Sequence, residues 1–260
     1  MTLGIFQLSF LFIAAIATAF INVVAAIGGG MTLFVIMVSM LNYAVVIPLH
    51  GSIQMWSSVT RVWLFRKHIN YRLMSLFTLA YIPSAVVGMF FWKTLIEQEQ
   101  IQPFLKIALG VYLILFLGDW SFKIRTTDRK KLMLYAGGWS GIFAMTVGSP
   151  APVMAPCFMK ANLYKEEFIG SWACGGVIVH LSKIPLFYFV WDAMSFDYIW
   201  LIILLTLGVI LGANFGKAAL GKISETLFRK LLVGVLGILA AKLIFWDGIR
   251  ALFFAPQAIV

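Results

Sequence analysis

Charged residues are scarce in this chain. Only 12% of its 260 residues are Asp, Glu, Lys or Arg, whereas 62% are hydrophobic. A soluble domain of this size carries roughly twice that charge, so the composition excludes an ordinary soluble fold. Several apolar runs are long enough to cross a hydrocarbon core of about 30 Å, which takes ~20 helical residues. We predict an all-α polytopic integral membrane protein.

The sequence also lacks the motifs of common enzymes and metal sites. It contains no HExxH, G-x-S-x-G or Walker A pattern, which excludes the mechanisms that depend on them. Its two cysteines, Cys157 and Cys174, lie in apolar stretches without metal-ligand spacing. We therefore predict that the protein is not an enzyme and has neither a metal site nor a cofactor.

Acidic residues are half as numerous as basic ones, and the net charge is +10. No basic stripe interleaved with aromatics lies on a soluble segment, which excludes nucleic-acid binding.

Fourteen of the 20 Lys and Arg residues fall in four loops: 66–72, 119–131, 160–167 and 216–230. Two fall in the remaining connections: the amino terminus, 42–44, 93–106, 147–150 and 191–197. The positive-inside rule places the first group in the cytoplasm, so we expect a multi-pass plasma-membrane protein with both termini outside.

The sequence contains an internal repeat, in which the second copy follows the first at an offset of about 120 residues. Gly28-Gly29-Gly30 breaks the first apolar run, and Gly148-Ser149-Pro150 occupies the matching position of the second copy. A short segment follows each break, 31–41 or 150–160, and either spans thinly or re-enters. The next long helix ends at a polar break that is basic in the first copy and acidic in the second. Opposite loop charge in related halves indicates two inverted-topology repeats of five elements each, an architecture of transporters.

The repeat sets the predicted boundaries. We expect a first transmembrane repeat, a basic cytoplasmic linker, a second repeat and a short carboxy-terminal tail: 1–119, 120–131, 132–250 and 251–260. Apolar runs of the first half predict helices at 3–27, 31–41, 45–66, 72–92 and 103–119. Those of the second half predict helices at 132–147, 150–160, 166–190, 196–216 and 227–247.

The two breaks are the first candidate binding site. The amino-terminal end of a half-helix offers unpaired N–H groups and a positive dipole end to an anion. Gly28, Gly29, Gly30 and Ser149 are therefore predicted to bind substrate. The alternative is close helix packing through small residues.

Two basic residues inside long apolar helices, Arg61 and Lys183, form the second candidate. Each precedes its polar break by nine residues, which places it about 13 Å deep. A charge at that depth normally faces a cavity or a partner, the alternative being snorkelling to the interface. No acidic residue lies clearly mid-helix, so an anionic substrate is expected to neutralise both cations in one shared cavity. Polar residues nearby complete the predicted site: Gln54, Ser57, Ser58 and Ser182.

Four further polar residues are weaker candidates. His50 and His180 lie in the same two helices and can titrate near neutral pH, so protons are a candidate coupling ion. The alternative for each is a hydrogen-bonded interior histidine. Asn42 and Asn162 are expected to cap or break helices and are kept as secondary binding candidates.

Short motifs along nearly the whole chain resemble the sulfite exporter TauE/SafE family. The first turn and first polar break are Ile27-Gly28-Gly29-Gly30-Met31-Thr32-Leu33 and Ile69-Asn70-Tyr71-Arg72-Leu73. The second half contributes Phe196-Asp197-Tyr198, Pro152, Pro156 and the glycines Gly208, Gly212 and Gly216. The second turn departs from the family by having Ser149-Pro150-Ala151 in place of glycines. The resemblance implies export of small oxyanions such as sulfite, organosulfonates or related carboxylates.

We therefore expect a secondary-type transporter that moves a small anion outward through a midplane site between the repeats. Its partners are the anion and the lipid bilayer, and the sequence leaves a homo-oligomer open. The alternative function is a non-transporting membrane scaffold or anchor for a partner protein.

Overall fold

The computed structural model describes residues 4–24, 28–96, 101–117, 126–185, 198–219, 233–234 and 237–254. Several sequence predictions fall wholly or in part outside these residues: the linker 120–131, the loops 191–197 and 216–230, and the tail 251–260. The motif Phe196-Asp197-Tyr198 is likewise described only at its last residue.

The described residues are helical and contain no strand, which confirms the predicted all-α class. The first half contains α1 to α5: Ile5–Val24, Gly29–Val38, Tyr43–Phe65, Tyr71–Ile96 and Gln102–Leu117. The second half contains α6 to α9: Arg129–Thr146, Ala151–Lys160, Lys165–Pro185 and Ile199–Ala219. A π-helical segment, Lys242–Ile249, then continues into α10, Arg250–Phe254. By length and composition α1, α9 and the stretch Tyr71–Trp92 of α4 can each cross a membrane.

Local sequence accounts for where several helices begin. Asp128 accepts the N–H of Lys130 at 2.8 Å and caps α6. Asn70 accepts the N–H of Leu73 at 3.1 Å and caps α4, so the amide at the first polar break serves the capping role typical of Asn and Asp. Pro150 precedes α7, where its missing N–H costs no helical hydrogen bond.

Glycines allow α4 and α6 to pack closely, and the order of their contacts gives the relative direction of the two helices. A Cβ added at Gly137 would meet the backbone carbonyl of Phe77, and one added at Gly141 would meet the main chain of Ala85. Residue numbers rise together on the two helices, so α4 and α6 run parallel.

The same arrangement joins α1 to α9. A Cβ at Gly208 would lie 3.2 Å from the carbonyl oxygen of Phe12, and one at Gly216 would lie 2.9 Å from that of Phe20. These helices therefore also run parallel. Each half thus packs its first helix on the fourth helix of the other half.

The central pair, α3 and α8, runs antiparallel. Gly51 lies against the side chain of Lys183, whereas a Cβ at Gly170 would lie 3.0 Å from the carbonyl oxygen of Phe65. Numbers rise on α3 as they fall on α8. This pair brings together the helices that carry the two predicted membrane-buried cations.

Candidate anion-binding site

The central helices enclose a cavity together with the amino-terminal ends of α2 and α7. Gln54, midway along α3, lines it beside Ser58 and Arg61 of the same helix. Gly28 and Ser149 line it from the two chain breaks. The breaks, predicted from separate halves of the sequence, therefore meet at one site.

Both breaks contain a glycine in the left-handed region of backbone conformation. Gly28 has a φ of 101° and Gly148 has a φ of 86°, values that L side chains rarely adopt. The helices that follow, α2 and α7, each have ten residues. At ~1.5 Å per residue each is about 15 Å long, which is half of the ~30 Å hydrocarbon core. Two positive helix ends thus face the cavity.

The second break is an interior feature. The sequence counted 147–150 among the connections on the outer side, and that membrane side remains a prediction. Gly148, Ser149 and Pro150 are buried, and Ser149 shares a cavity with Gly28, so the short helices start within the protein rather than at its surface.

Arg61 supplies the positive charge of the cavity. Its side chain is 3% exposed, with Nε donating to the Ser57 carbonyl at 3.4 Å and Nη2 to Ser58 Oγ at 3.2 Å. Its Nη1 has no hydrogen-bond partner among the described residues. Nor does any described carboxylate pair with it. A guanidinium has five N–H donors, so this one retains donors for a further acceptor.

Other buried polar atoms around the cavity are similarly unpaired. Nε2 of Gln54 and Nδ1 of both His50 and His180 lack a hydrogen-bond partner within the described part of the chain. Buried polar atoms in proteins are normally hydrogen-bonded. A concentration of unpaired atoms at the lining of one cavity is typical of a ligand site.

Asn22 also belongs to the site and was missed by the sequence reasoning. It is 3% exposed, lines the cavity, and accepts the N–H of Gly30 at 3.0 Å through Oδ1. It therefore fixes the first turn of α2 against α1. The available signal was an amide near the inner end of a long, largely apolar span, which is expensive unless the amide has a partner.

Lys183 does not line the cavity. It is fully buried, and Nζ donates to the Gly148 carbonyl at 2.7 Å. Its stem packs on Gly51, which precedes Arg61 by ten residues, or about 15 Å of helix. The prediction that both cations face one shared cavity is corrected, because the antiparallel packing of α3 and α8 puts equivalent positions at opposite ends of the interface.

Three other predicted residues lie outside the cavity lining. A Cβ at Gly29 would meet the Thr18 carbonyl of α1, so this glycine serves helix packing. Ser57 is fully buried, and the Ser182 hydroxyl forms a 2.7 Å hydrogen bond with the Tyr81 hydroxyl.

The two asparagines occupy exposed junctions. The Asn42 carbonyl accepts the N–H groups of Val45 and Val46 at the start of α3. Asn162 follows α7 with a φ of 50°, and its carbonyl accepts from Arg129. Both positions fit the capping interpretation and neither lines the cavity.

An all-helical bundle with broken helices meeting at a cation-lined cavity is the architecture of a membrane transporter. The sequence model of the family described as sulfite exporter TauE/SafE matches residues 11–243. The chain belongs to this family of anion-exporting membrane proteins, as its motifs predicted. The family is one of exporters, which agrees with the prediction that the protein is not an enzyme. No curated protein and no solved structure matches the chain.

Proposed function

We propose that the protein exports a small oxyanion, such as sulfite, an organosulfonate or a related carboxylate, through the cavity between α3 and α8. The observation that carries this proposal is the buried Arg61 guanidinium, which lines the cavity without a described carboxylate partner. A charge within the membrane costs several kcal/mol unless it is compensated. A bound anion supplies that compensation.

The donors around the cavity favour an anion with several oxygens. A guanidinium fork matches two oxygens of a sulfonate, sulfite or carboxylate in one plane. The Gln54 amide offers a further unpaired donor. The amino-terminal ends of α2 and α7 add positive dipole ends from opposite halves.

Helix directions support the inverted-repeat architecture and an alternating-access mechanism. A two-fold axis in the membrane plane makes the equivalent helices α3 and α8 antiparallel, whereas parallel repeats would make them run the same way. The contacts of Gly51 and Gly170 give the antiparallel arrangement. Rocking of the two halves about this central pair would open the cavity to each side in turn. The cytoplasmic side of loops 66–72 and 119–131 remains a prediction from loop charge, as does the location of the protein in the plasma membrane.

Binding of sulfonates to the purified protein tests the proposal. At constant ionic strength, sulfite and methanesulfonate are expected to raise the midpoint of thermal unfolding, and dimethyl sulfone, which has sulfonyl oxygens but no charge, is not. At 100 times the dissociation constant the stabilisation is ~2.7 kcal/mol. Proteoliposomes should then release the same anions.

The alternative, a scaffold or anchor, predicts neither response, since a scaffold needs no cation at a central cavity. Equal shifts with the anions and the sulfone would contradict anion recognition. Binding without release from proteoliposomes would contradict transport.

A further inference from the structure

Two histidines face each other across the central helix pair. The rings of His50 on α3 and His180 on α8 lie 5.7 Å apart between centroids and are nearly perpendicular. Both residues line the cavity that contains Arg61. They come from different halves of the chain and from positions that the repeat does not make equivalent.

The backbone fixes the tautomer of His50. Its Nε2 lies 2.8 Å from the Gly30 carbonyl oxygen, which can only accept, so Nε2 carries the hydrogen. In the neutral ring Nδ1 then holds a free lone pair. Nδ1 has no partner among the described residues, and the same is true of Nδ1 of His180. Each ring therefore has a nitrogen able to take part in proton binding.

The charged groups that the structure describes around the pair are all basic. Arg61 lines the same cavity, and Lys183 packs on Gly51 next to His50. From α2 the neighbour of His50 is the Phe34 ring, 5.1 Å away between centroids. No described acidic residue lines the cavity. Among the described residues, a proton added to the pair thus has only positively charged groups near it until an anion enters.

We propose that the His50–His180 pair takes up one proton when an anion binds beside Arg61. This inference rests on the proposed function and adds a titrating group to its binding site. Coupling between two binding sites is reciprocal: an anion beside Arg61 favours the proton, and the proton favours the anion. A monoanion and a proton together add no net charge to the cavity.

Calorimetric titration with methanesulfonate tests this coupling. Methanesulfonate is used because it stays a monoanion throughout, whereas sulfite itself titrates. In buffers of different ionisation enthalpy the measured heat should reveal net proton uptake on binding. Affinity is expected to rise about tenfold or more from about pH 8.5 to about pH 5.5.

Three variants locate the proton. His50→Gln keeps an amide donor for the Gly30 carbonyl but removes the titrating ring, and His180→Gln removes the other. Proton uptake should fall in each and vanish in the double variant. The third histidine, His68, is half-buried in the turn Arg66–His68 beside Tyr164, outside the cavity, and His68→Gln should keep the full pH dependence.

Binding of methanesulfonate without proton uptake would overturn this inference and leave the proposed function intact. Full uptake in the double variant would also overturn it. Absence of binding at every pH would overturn the proposed function and this inference with it. If the double variant does not fold, the wild-type measurement and the single variants decide.

Discussion

Replacing Arg61 with Gln is expected to weaken binding of sulfite or methanesulfonate at least about tenfold, or ~1.4 kcal/mol. The change removes the positive charge from the cavity lining while keeping a polar side chain. Arg61→Lys should also weaken binding, since an ammonium offers a point charge instead of a fork for two oxygens. Isothermal titration on purified protein measures both effects.

Arg66→Gln is the matched control for this change. Arg66 is exposed in the turn after α3, with its guanidinium 4.1 Å from the centroid of the Trp63 ring. Its replacement should leave affinity unchanged. Wild-type affinity in a folded Arg61→Gln protein would show that the cavity charge does not bind the anion.

Replacing Gly148 with Ala is expected to destabilise the protein by about 2 kcal/mol or more. A left-handed backbone costs an L residue ~1–2 kcal/mol, and the φ of Gly148 is 86°. In addition, the new Cβ would collide with the Phe34 ring. The carbonyl of this residue also accepts the Lys183 ammonium, so displacement of the turn would disturb a buried charge. Thermal unfolding in detergent measures the change.

Gly138→Ala provides the comparison for that measurement. Gly138 lies within α6, and a Cβ there meets nothing within 4 Å among the described residues. Alanine is the better helix former by ~1 kcal/mol, so this variant should be as stable as the parent or slightly more so. Equal losses in both variants, or none in Gly148→Ala, would contradict the assigned role of the Gly148 turn.

The sequence predicts most of the fold because membrane helices can be recognised as apolar runs of nearly fixed length. It also predicts the two breaks, since glycines and prolines interrupt such runs at matching positions. Arg61 could be identified as a candidate site residue because a cation deep in an apolar helix requires a compensating partner. These inferences need only local sequence and the repeat.

The functions of individual glycines in the first break could not be predicted. Three consecutive glycines look alike in sequence, yet they serve different purposes. Gly28 adopts the left-handed conformation, Gly29 packs on the Thr18 carbonyl, and Gly30 lines the cavity. The helical rotation that separates these roles is set by how α2 docks on α1.

The location of Lys183 relative to the cavity could not be predicted from the sequence either. The repeat makes it equivalent to Arg61, but equivalence says nothing of how far apart the two residues lie. That distance depends on where the antiparallel helices α3 and α8 cross. Gly51 faces the Lys183 stem, whereas Gly176 faces Ser58 and the Arg61 guanidinium, so the two cations lie at different levels of the helix pair. Arg61 lines the cavity and Lys183 binds the Gly148 carbonyl.

A crystal structure with bound selenite would show whether the cavity between α3 and α8 holds an oxyanion. Selenite is the selenium analogue of sulfite, and its anomalous scattering marks its position. We expect one strong selenium peak between Gly28 and Ser149, at a position that lets the selenite oxygens accept hydrogen bonds from the Arg61 guanidinium. An unoccupied cavity at a selenite concentration that saturates binding in solution would contradict anion binding between α3 and α8.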